Sequence, residues 1–471
     1  MATLAPDAPA RDGASPAEGT APRLRHWREG VLSEADIAHI PGEGGLPVIG
    51  NTLRMLADPH AFTRRMVDTY GPVYRNKAFG GWNVALVGAD ANELVLFDRD
   101  KLFSSEQGWG PILDRLFPRG LMLMDFDHHR ADRRALSIAF KPGPMRHYAG
   151  SLNRGIAQAV KHWGGKPMRF YPAIKALTLD LAADSFIGIP WGPEADRINA
   201  AFVDMVQASV APVRRPLPFT LMRRGVKGRA FLVDYFTRET LRRRAEGGGQ
   251  DMFSQFATAT REDESLLPVD EVVDHMNFLM MAAHDTITSS ATTLVQLLAR
   301  HPDWQERLRA EIVAITGGGG DIDYADLGKL ELTEMAFKEA LRMIPPVPST
   351  PRRALRAFEF GGYRIPAGTP VGINAQYVHH MEEHWPDPQR FDPLRFTPDQ
   401  VKARHKYAWV PFGGGAHMCL GLHFAYMQVK ILMAQVLTRY RIEIEPGYAP
   451  EWQAWPIPRP KDGLKVTFRP L

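Results

Sequence analysis

Residues 409–421 read Trp-Val-Pro-Phe-Gly-Gly-Gly-Ala-His-Met-Cys-Leu-Gly, and this stretch holds the one cysteine of the 471-residue chain. Its three successive glycines let the backbone adopt positive φ and approach a flat partner closely. The apolar residues that follow repeat with helical periodicity, so the sequence predicts a helix that begins at Cys419. The N–H groups and dipole of a helix N-terminus stabilise a thiolate and lower the thiol pKa. The stretch therefore indicates either a metal-binding thiolate or a small buried apolar side chain, which is common for an isolated cysteine.

The spacing Phe-Gly-x-Gly-x-His-x-Cys-x-Gly, from Phe412 to Gly421, resembles the haem-binding signature of the cytochrome P-450 family, the haem-thiolate monooxygenases. The resemblance implies that Cys419 is the axial ligand to the iron of haem b, that Phe412 packs beside its sulfur, and that His417 contacts a haem propionate. A thiolate ligand pushes electron density onto the iron and favours cleavage of the O–O bond. The resemblance favours the metal-ligand interpretation over the apolar one.

A second informative stretch runs from Pro268 to Ala299 without internal proline or glycine. It predicts a central helix roughly 48 Å long at 1.5 Å per residue, apolar nearly all round in its middle. That helix holds Asp285 and Thr286, and a buried carboxylate is costly unless it is paired. Without further context, such residues are most often an ordinary satisfied pair in the core.

Residues 282–287, Ala-Ala-His-Asp-Thr-Ile, resemble the central-helix motif of the same family. The resemblance implies that Thr286 assists O2 activation, that Asp285 belongs to the proton supply, and that Ala282 lies against the haem. The second position carries alanine instead of the usual glycine, and the last carries isoleucine instead of a hydroxyl side chain. These departures leave the proton route open.

His129 and Arg133 are four residues apart in a predicted helix, so their side chains project from one face. A charged helix face is usually only solvated. The His-x-x-x-Arg pattern ahead of an Ala-Phe pair is similar to that of the family, and the resemblance implies that both residues contact haem propionates. It also implies a propionate contact from Arg352, in a segment after several prolines, with Arg353 as the alternative.

Glu339 and Arg342 share one helix face at spacing i, i+3. By itself such a pair is commonplace. In the family that the motifs resemble, the pair is completed by an arginine in a Phe-x-Pro-x-Arg-Phe segment, which Arg395 supplies here. The implied role is structural, as a buried charge network.

Two further segments are candidates for covering a substrate. Residues 101–124 form a long connection rich in Gly, Trp, Phe and Met, which are either core or pocket lining. Residues 212–224 mix bases with apolar groups, which suits contact with a membrane surface or a lid over a substrate channel. Their prolines forbid a continuous amphipathic helix, so a mobile lid loop is favoured. Arg130 and Arg134 are candidates for a positive docking face for an acidic electron donor.

Composition narrows the class of protein. The net charge of +4 is weak for this length and no dense basic run appears, so nucleic acid is not expected as a partner. No run reaches 18 apolar residues, so no transmembrane anchor is expected. A single cysteine allows no internal disulfide, which suits the reducing cytoplasm. The histidines and acids of residues 379–384 do not form the H-E-x-x-H zinc motif, which makes a metal site there improbable.

The sequence predicts a low-complexity, disordered extension over residues 1–39 and one haem-binding domain over residues 40–471. Periodicity predicts helices near residues 59–70, 148–163, 174–189 and 195–210, and strands near 73–75, 84–87, 442–444 and 464–468. The fold class is mainly α with a small β-rich lobe (α+β), in which N-terminal strands pair with strands of the C-terminal third. The resemblance places the haem between the long central helix and the cysteine loop.

The activity implied by the resemblance is insertion of one oxygen atom of O2 into an apolar small molecule, such as a fatty acid, a terpenoid or a steroid-like compound. The chain has no spare cysteines for an iron–sulfur cluster and no flavin domain, so the implied electron donors are a ferredoxin and its NAD(P)H-dependent reductase. A monomer is expected. The alternatives are a haem-thiolate peroxygenase or isomerase that needs no electron donor, and a non-catalytic haem sensor.

Overall fold

The computed structural model of the protein describes residues 33–471. The predicted disordered extension therefore lies largely outside the described residues. Its last part, Glu34–Ile37, forms a 3-10 helix, and the Ile37 side chain is buried.

Helices make up most of the described chain. Between residues 33 and 471 there are sixteen α-helices: α1 Thr52–Ala57, α2 Pro59–Tyr70, α3 Ala89–Phe97, α4 Glu106–Leu113, α5 Phe126–Leu136, α6 Pro142–Val160, α7 Phe170–Ala182, α8 Pro193–Ser209, α9 Leu221–Glu246, α10 Met252–Ala257, α11 Val269–Arg300, α12 Pro302–Thr316, α13 Glu331–Met343, α14 Ala375–Val378, α15 Pro398–Ala403 and α16 Leu422–Leu437. The helical segments predicted from periodicity are confirmed, with ends that differ by a few residues.

The strands are short and form small sheets. They are β1 Gly42–Glu43, β2 Val73–Ala78, β3 Gly81–Leu86, β4 Phe103–Ser104, β5 Pro167–Arg169, β6 Ser349–Ala354, β7 Phe358–Phe360, β8 Tyr363–Ile365, β9 Pro370–Asn374, β10 Tyr440–Glu443, β11 Trp452–Gln453, β12 Arg459–Pro460 and β13 Lys465–Pro470. The largest sheet has the order β1-β2-β3-β9-β6-β4, and a three-stranded sheet has the order β10-β13-β5.

The largest sheet joins strands from the start of the described chain to strands of its last third. Strand β3 pairs in parallel with β9, with Val84 opposite Val371, and β9 pairs antiparallel with β6. The prediction that N-terminal strands pair with strands of the C-terminal third is confirmed, as is the mainly helical fold with a small β-rich lobe.

Helix α11 crosses the middle of the molecule. Its 32 residues begin directly after Pro268, where the ring removes a backbone donor that a helix N-terminus would leave unpaired, so the predicted central helix is confirmed. From Ile287 to Ala299 every side chain is buried, and α11 packs against α7, α9 and α13. Because the helix is enclosed by other helices, its buried polar side chains must find partners inside the protein.

The connection ahead of α5 lies on this central helix. This connection, residues 101–124, contains the short helix α4, and its residues Leu116 and Phe117 are buried in the main core. At Gly120, where φ is +144°, an added Cβ would lie 2.3 Å from Cγ of Phe278 on α11. Only glycine fits there, so the backbone of the connection approaches α11 closely.

No helix within residues 33–471 is long and apolar enough to cross a membrane.

Candidate active site

The loop that carries Cys419 is a series of tight turns held by backbone hydrogen bonds. The Cys419 N–H donates to the carbonyl oxygen of Phe412 at 2.9 Å. Gly413 and Gly415 adopt φ of +71° and +59°, and a Cβ at Gly415 would lie 2.2 Å from the carbonyl oxygen of Leu96 on α3. These glycines let the loop turn back on itself while it packs against α3, as the glycine run predicts.

The cysteine does not begin the following helix. Helix α16 starts at Leu422, after the N-cap Gly421, so Cys419 lies in the preceding turn. Burial raises the pKa of the Cys419 thiol, while the Gly421 N–H and the Arg133 charge act in the opposite direction. The predicted lowering of the thiol pKa by the helix is therefore wrong, because desolvation outweighs the effects of the Gly421 N–H and the Arg133 charge.

The surroundings of Cys419 point to a recess. Its side chain retains exposed surface, although the burial that raises its pKa shows that protein surrounds it. A side chain that is exposed and yet surrounded by protein atoms borders a recess, so the Cys419 sulfur lies at the edge of one. Phe412 lies close by in the chain, with its ring 6.3 Å from that of Trp409 and 5.6 Å from that of Tyr426.

Two imidazoles and two guanidinium groups gather near this loop. The rings of His129, on α5, and His417 are 4.0 Å apart between centroids. Burial and the nearby Arg133 and Arg352 lower the pKa of His129 to about 4. Burial, His129 and the same arginines lower the pKa of His417 to about 2. Both histidines are thus neutral at pH 7, and three segments far apart in sequence meet at one basic cluster.

Buried polar atoms in this cluster and in the adjoining cysteine loop lack hydrogen-bond partners among residues 33–471. Nε2 of His129 and Nε1 of Trp409 are buried and have no hydrogen-bond partner among residues 33–471. Arg352 is buried, which lowers its pKa to about 10, and within residues 33–471 its side chain hydrogen-bonds only the carbonyl oxygen of Pro351. Buried cations and donors without partners are costly, so the cluster fits an anionic group. The two propionates of haem supply such an anion, beside a thiol suited to ligate its iron.

The alternative Arg353 faces elsewhere. It follows Arg352 in β6, and successive strand residues point to opposite faces of a sheet. Its Nε donates to the carbonyl oxygen of Gly368 at 2.9 Å. The structure therefore brings Arg352, and not Arg353, to the basic cluster.

The indole of Trp409 was missed by sequence reasoning, and its only signal was an N–H donor three residues before Phe412.

The polar residues of α11 are paired inside the protein. Thr286 donates from Oγ1 to the carbonyl oxygen of Ala282 at 2.8 Å. Oδ1 of Asp285 lies 3.1 Å from Nζ of Lys175, on α7, and 3.2 Å from Nδ1 of His284. Burial opposes ionisation of Asp285, but the hydrogen bonds and charges of His284 and Lys175 outweigh it and hold its pKa below the ordinary value.

Lys175 was missed by sequence reasoning because it lies 110 residues from Asp285 and belongs to no recognised motif. His284 occupies the unspecified position of the central-helix motif. Together they make Asp285 a carboxylate at neutral pH. An ionised carboxylate accepts a proton and cannot donate one until it is protonated.

The predicted charge network is present and lies under the cysteine loop. Glu339 and Arg342 are fully buried and form two hydrogen bonds of 2.6 and 2.8 Å, and Nε of Arg395 lies 3.4 Å from Oε1 of Glu339. Arg342 also donates to the carbonyl oxygen of His379, whose Nε2 accepts the Val410 N–H at 3.1 Å. The network thus reaches the cysteine loop through one histidine.

The proposed docking arginines are less available than the sequence suggests. Arg130 pairs with Asp127 at 3.3 Å, and Arg134 pairs with Glu262. Because both guanidinium groups already have carboxylate partners, they contribute less positive potential to this face than unpaired arginines would.

Comparison with known proteins agrees with this geometry. The family model of cytochrome P-450 matches residues 40–468. Putative cytochrome P-450 136 of Mycobacterium tuberculosis is 37% identical over 439 residues, covering 92% of this chain and 88% of that protein. Abscisic acid 8'-hydroxylase 2 of Oryza sativa subsp. indica is 28% identical over 440 residues, covering 91% of this chain and 86% of that protein.

A solved structure shares the whole fold. The retinoic acid-bound cyanobacterial CYP120A1 superposes with a TM-score of 0.84 at 28% identity, covering 92% of this chain and 99% of that chain. Both the fold and the sequence over residues 40–468 are therefore those of one family. The chain belongs to the cytochrome P-450 family and is a haem-dependent monooxygenase.

Proposed function

We propose that this monooxygenase holds haem b through Cys419 and inserts one oxygen atom of O2 into an apolar terpenoid, with electrons from a ferredoxin and an NAD(P)H-dependent ferredoxin reductase. The observation that carries the proposal is the basic cluster with its unpaired donors beside the one thiol of the chain. We further propose that the protein acts as a monomer in the cytoplasm.

When bound, the haem supplies the O2-activating chemistry, and the side chains of this protein hold it and move protons. His129, Arg133, Arg352 and His417 are proposed to hold the propionates, with Cys419 as the iron ligand and Phe412 beside the sulfur. Ala282 lies four residues before Thr286, on the same face of α11, and its small side chain leaves room for the haem there.

Proton supply is proposed to involve Asp285 and Thr286. Lys175 and His284 contact the carboxylate of Asp285 and keep its pKa low, so a proton taken up by Asp285 from water is passed on readily. Once protonated, Asp285 becomes a hydrogen-bond donor. The Thr286 hydroxyl, now donating to the carbonyl of Ala282, accepts a proton and passes on its own.

The terpenoid class is supported by two of the named relatives. One acts on abscisic acid and another binds retinoic acid, and both compounds are built from isoprene units. The test is titration of the purified haem protein with a retinoid, a sesquiterpenoid, a fatty acid and a steroid, read as a spin-state change in the Soret band. A response to fatty acids or steroids but to neither isoprenoid would overturn the terpenoid assignment.

Electron supply is tested with a responsive substrate. We expect product with NADPH, a ferredoxin and its reductase under O2, and little product with peroxide alone. Product with peroxide and none with the electron-transfer system would instead establish a peroxygenase. Omission of O2 from the complete system is the matched control.

Replacement of Thr286 by alanine is expected to uncouple NADPH consumption from product formation, lowering the product formed per NADPH by roughly 10²-fold, because a group that takes part in proton transfer contributes about that much. The measurement is product and peroxide formed per NADPH. Thr292→Ala is the matched control, since Thr292 is another α11 threonine that donates to the carbonyl four residues back. Equal coupling in the Thr286 variant and the wild type would remove the role proposed for Thr286.

A further inference from the structure

A buried ion pair connects α5 to the central helix. Nε2 of His275, on the second turn of α11, lies 3.0 Å from Oδ2 of Asp132 on α5, although the two residues are 143 positions apart in the chain. Only 2% of each side chain is exposed. Since a buried carboxylate is costly unless it is paired, Asp132 depends on partners inside the protein.

A second partner of Asp132 comes from the segment that precedes α11. The guanidinium of Arg261 lies 3.3 Å from Oδ1 of Asp132 and also contacts Glu271 on the first turn of α11. Burial opposes ionisation of Asp132, but the hydrogen bonds and charges of His275 and Arg261 outweigh it and hold its pKa below the ordinary value. Asp132 is therefore a carboxylate at neutral pH, and the Nε2–H of His275 donates to it.

The same carboxylate lies directly behind the basic cluster of the candidate site. Asp132 precedes Arg133 and follows His129 by three residues, so it shares a helix face with His129. Its charge acts against the lowering of the His129 pKa, which shows that the two side chains are close. Within residues 33–471, the one other α5 side chain with an ion pair or hydrogen bond to a different element is Arg134, which is exposed. The orientation of α5 therefore depends on how Asp132 is held.

We propose that His275 is a positioning residue for haem binding, which acts through Asp132 to keep the haem-contact face of α5 in place. This role rests on the proposed function, in which His129 and Arg133 of that face hold the haem propionates. The hydrogen bond between His275 and Asp132 fixes α5 relative to the helix that crosses the middle of the molecule. When it is lost, α5 shifts and the propionates lose well-directed partners, as happens when the groups that orient a ligand-binding side chain are removed.

The neighbouring ion pair of α11 provides a matched control. Asp274 lies 3.0 Å from Arg229 on α9, and only 13% of its side chain is exposed. This pair holds the same turn of α11 against α9 and does not involve α5. Replacement of Asp274 by asparagine therefore shows whether any loosening at this end of α11 affects the haem.

The test is transfer of haem from the full-length holoprotein to an excess of apomyoglobin, followed by absorbance. The double variant Asp132→Asn, His275→Leu leaves no buried carboxylate unpaired, and Arg261 keeps Glu271 as its partner, so the variant is expected to fold. We expect it to lose haem roughly 10-fold faster than the wild type, because removal of an orienting group typically costs about 10- to 100-fold in affinity. Asp274→Asn should lose haem at the wild-type rate.

A conservative replacement separates positioning from general packing. His275→Gln keeps an N–H near the place of Nε2, so it should still donate to Asp132 and should retain haem like the wild type. The propionate bending band of the resonance Raman spectrum should shift in the double variant and in Arg133→Gln. It should be unchanged in His275→Gln and in Asp274→Asn. Circular dichroism shows that each variant is folded.

The variant Arg133→Gln, which removes a proposed propionate contact, distinguishes the possible failures. If it accelerates haem loss and the double variant does not, the positioning role of His275 is overturned while the propionate contacts of α5 stand. If neither variant accelerates haem loss, the propionate contacts are wrong and the positioning role fails with them. Equal acceleration by Asp274→Asn, or no rescue by His275→Gln, would overturn the positioning role in favour of general packing at the start of α11.

Discussion

Replacement of Cys419 by serine is expected to abolish the thiolate-type spectrum of the reduced carbon monoxide complex and to lower monooxygenase turnover by roughly 10³-fold or more, about 4 kcal/mol in the barrier. Serine keeps the size and the turn, but its hydroxyl is far less acidic than a thiol and is a poor ligand for the iron. The measurements are the absorbance spectrum of the reduced carbon monoxide complex and product formation with the reconstituted donors.

Met418→Ser is the matched control for this prediction, because it introduces the same side chain at an exposed neighbour in the same turn. It should retain the thiolate-type spectrum. If Cys419→Ser also retained it, Cys419 would not be the ligand, and the haem would have to be bound through another residue.

Replacement of Glu339 by glutamine is expected to lower the free energy of unfolding by about 3–5 kcal/mol, because it leaves two buried arginines without a charged partner. Glu339 and Arg342 have no exposed side-chain surface, and the Asp392 N–H also donates to Glu339 at 3.1 Å. Because a typical domain is stable by only about 5–15 kcal/mol, the variant will be near the limit of folding. The measurement is denaturation by urea, followed by circular dichroism.

Glu331→Gln is the control for the charge network, since Glu331 lies at the exposed start of the same helix and its replacement should cost at most about 1 kcal/mol. The network reaches Val410 through His379, so the Glu339 variant should also lose haem at a lower urea concentration than the control does. A change in stability no larger than that of the control would show that the network contributes little.

Much of the fold could be predicted from local patterns. Helix α2 is an example, because Pro59 follows the N-cap Asp58, whose side chain accepts the Ala61 N–H, and Gly71 follows its last residue with φ of +86°. These start and stop signals act over a few residues. The length of α11 could also be predicted, because no proline or glycine lies between its ends to interrupt the helical hydrogen bonds.

The spacing of residues within motifs was also readable, because such residues are held by one turn or one helix face. The Cys419 loop, the i, i+4 pair His129 and Arg133, and the pair Glu339 and Arg342 are of this kind. What the motifs left open was which of two adjacent arginines reaches the site. The strand alternation in β6, and hence the choice of Arg352, depends on the register with β9.

Local sequence was thus enough to specify the helices, the turn that presents the thiol and the spacing of its neighbours, since these depend on hydrogen bonds and dihedral preferences between residues close in the chain. Packing of distant segments was needed to pair Lys175 with Asp285, to leave the Trp409 N–H without a partner, and to raise the pKa of Cys419 by burial. Desolvation and charge pairing depend on which groups surround an atom in space, and no short stretch of sequence contains that information.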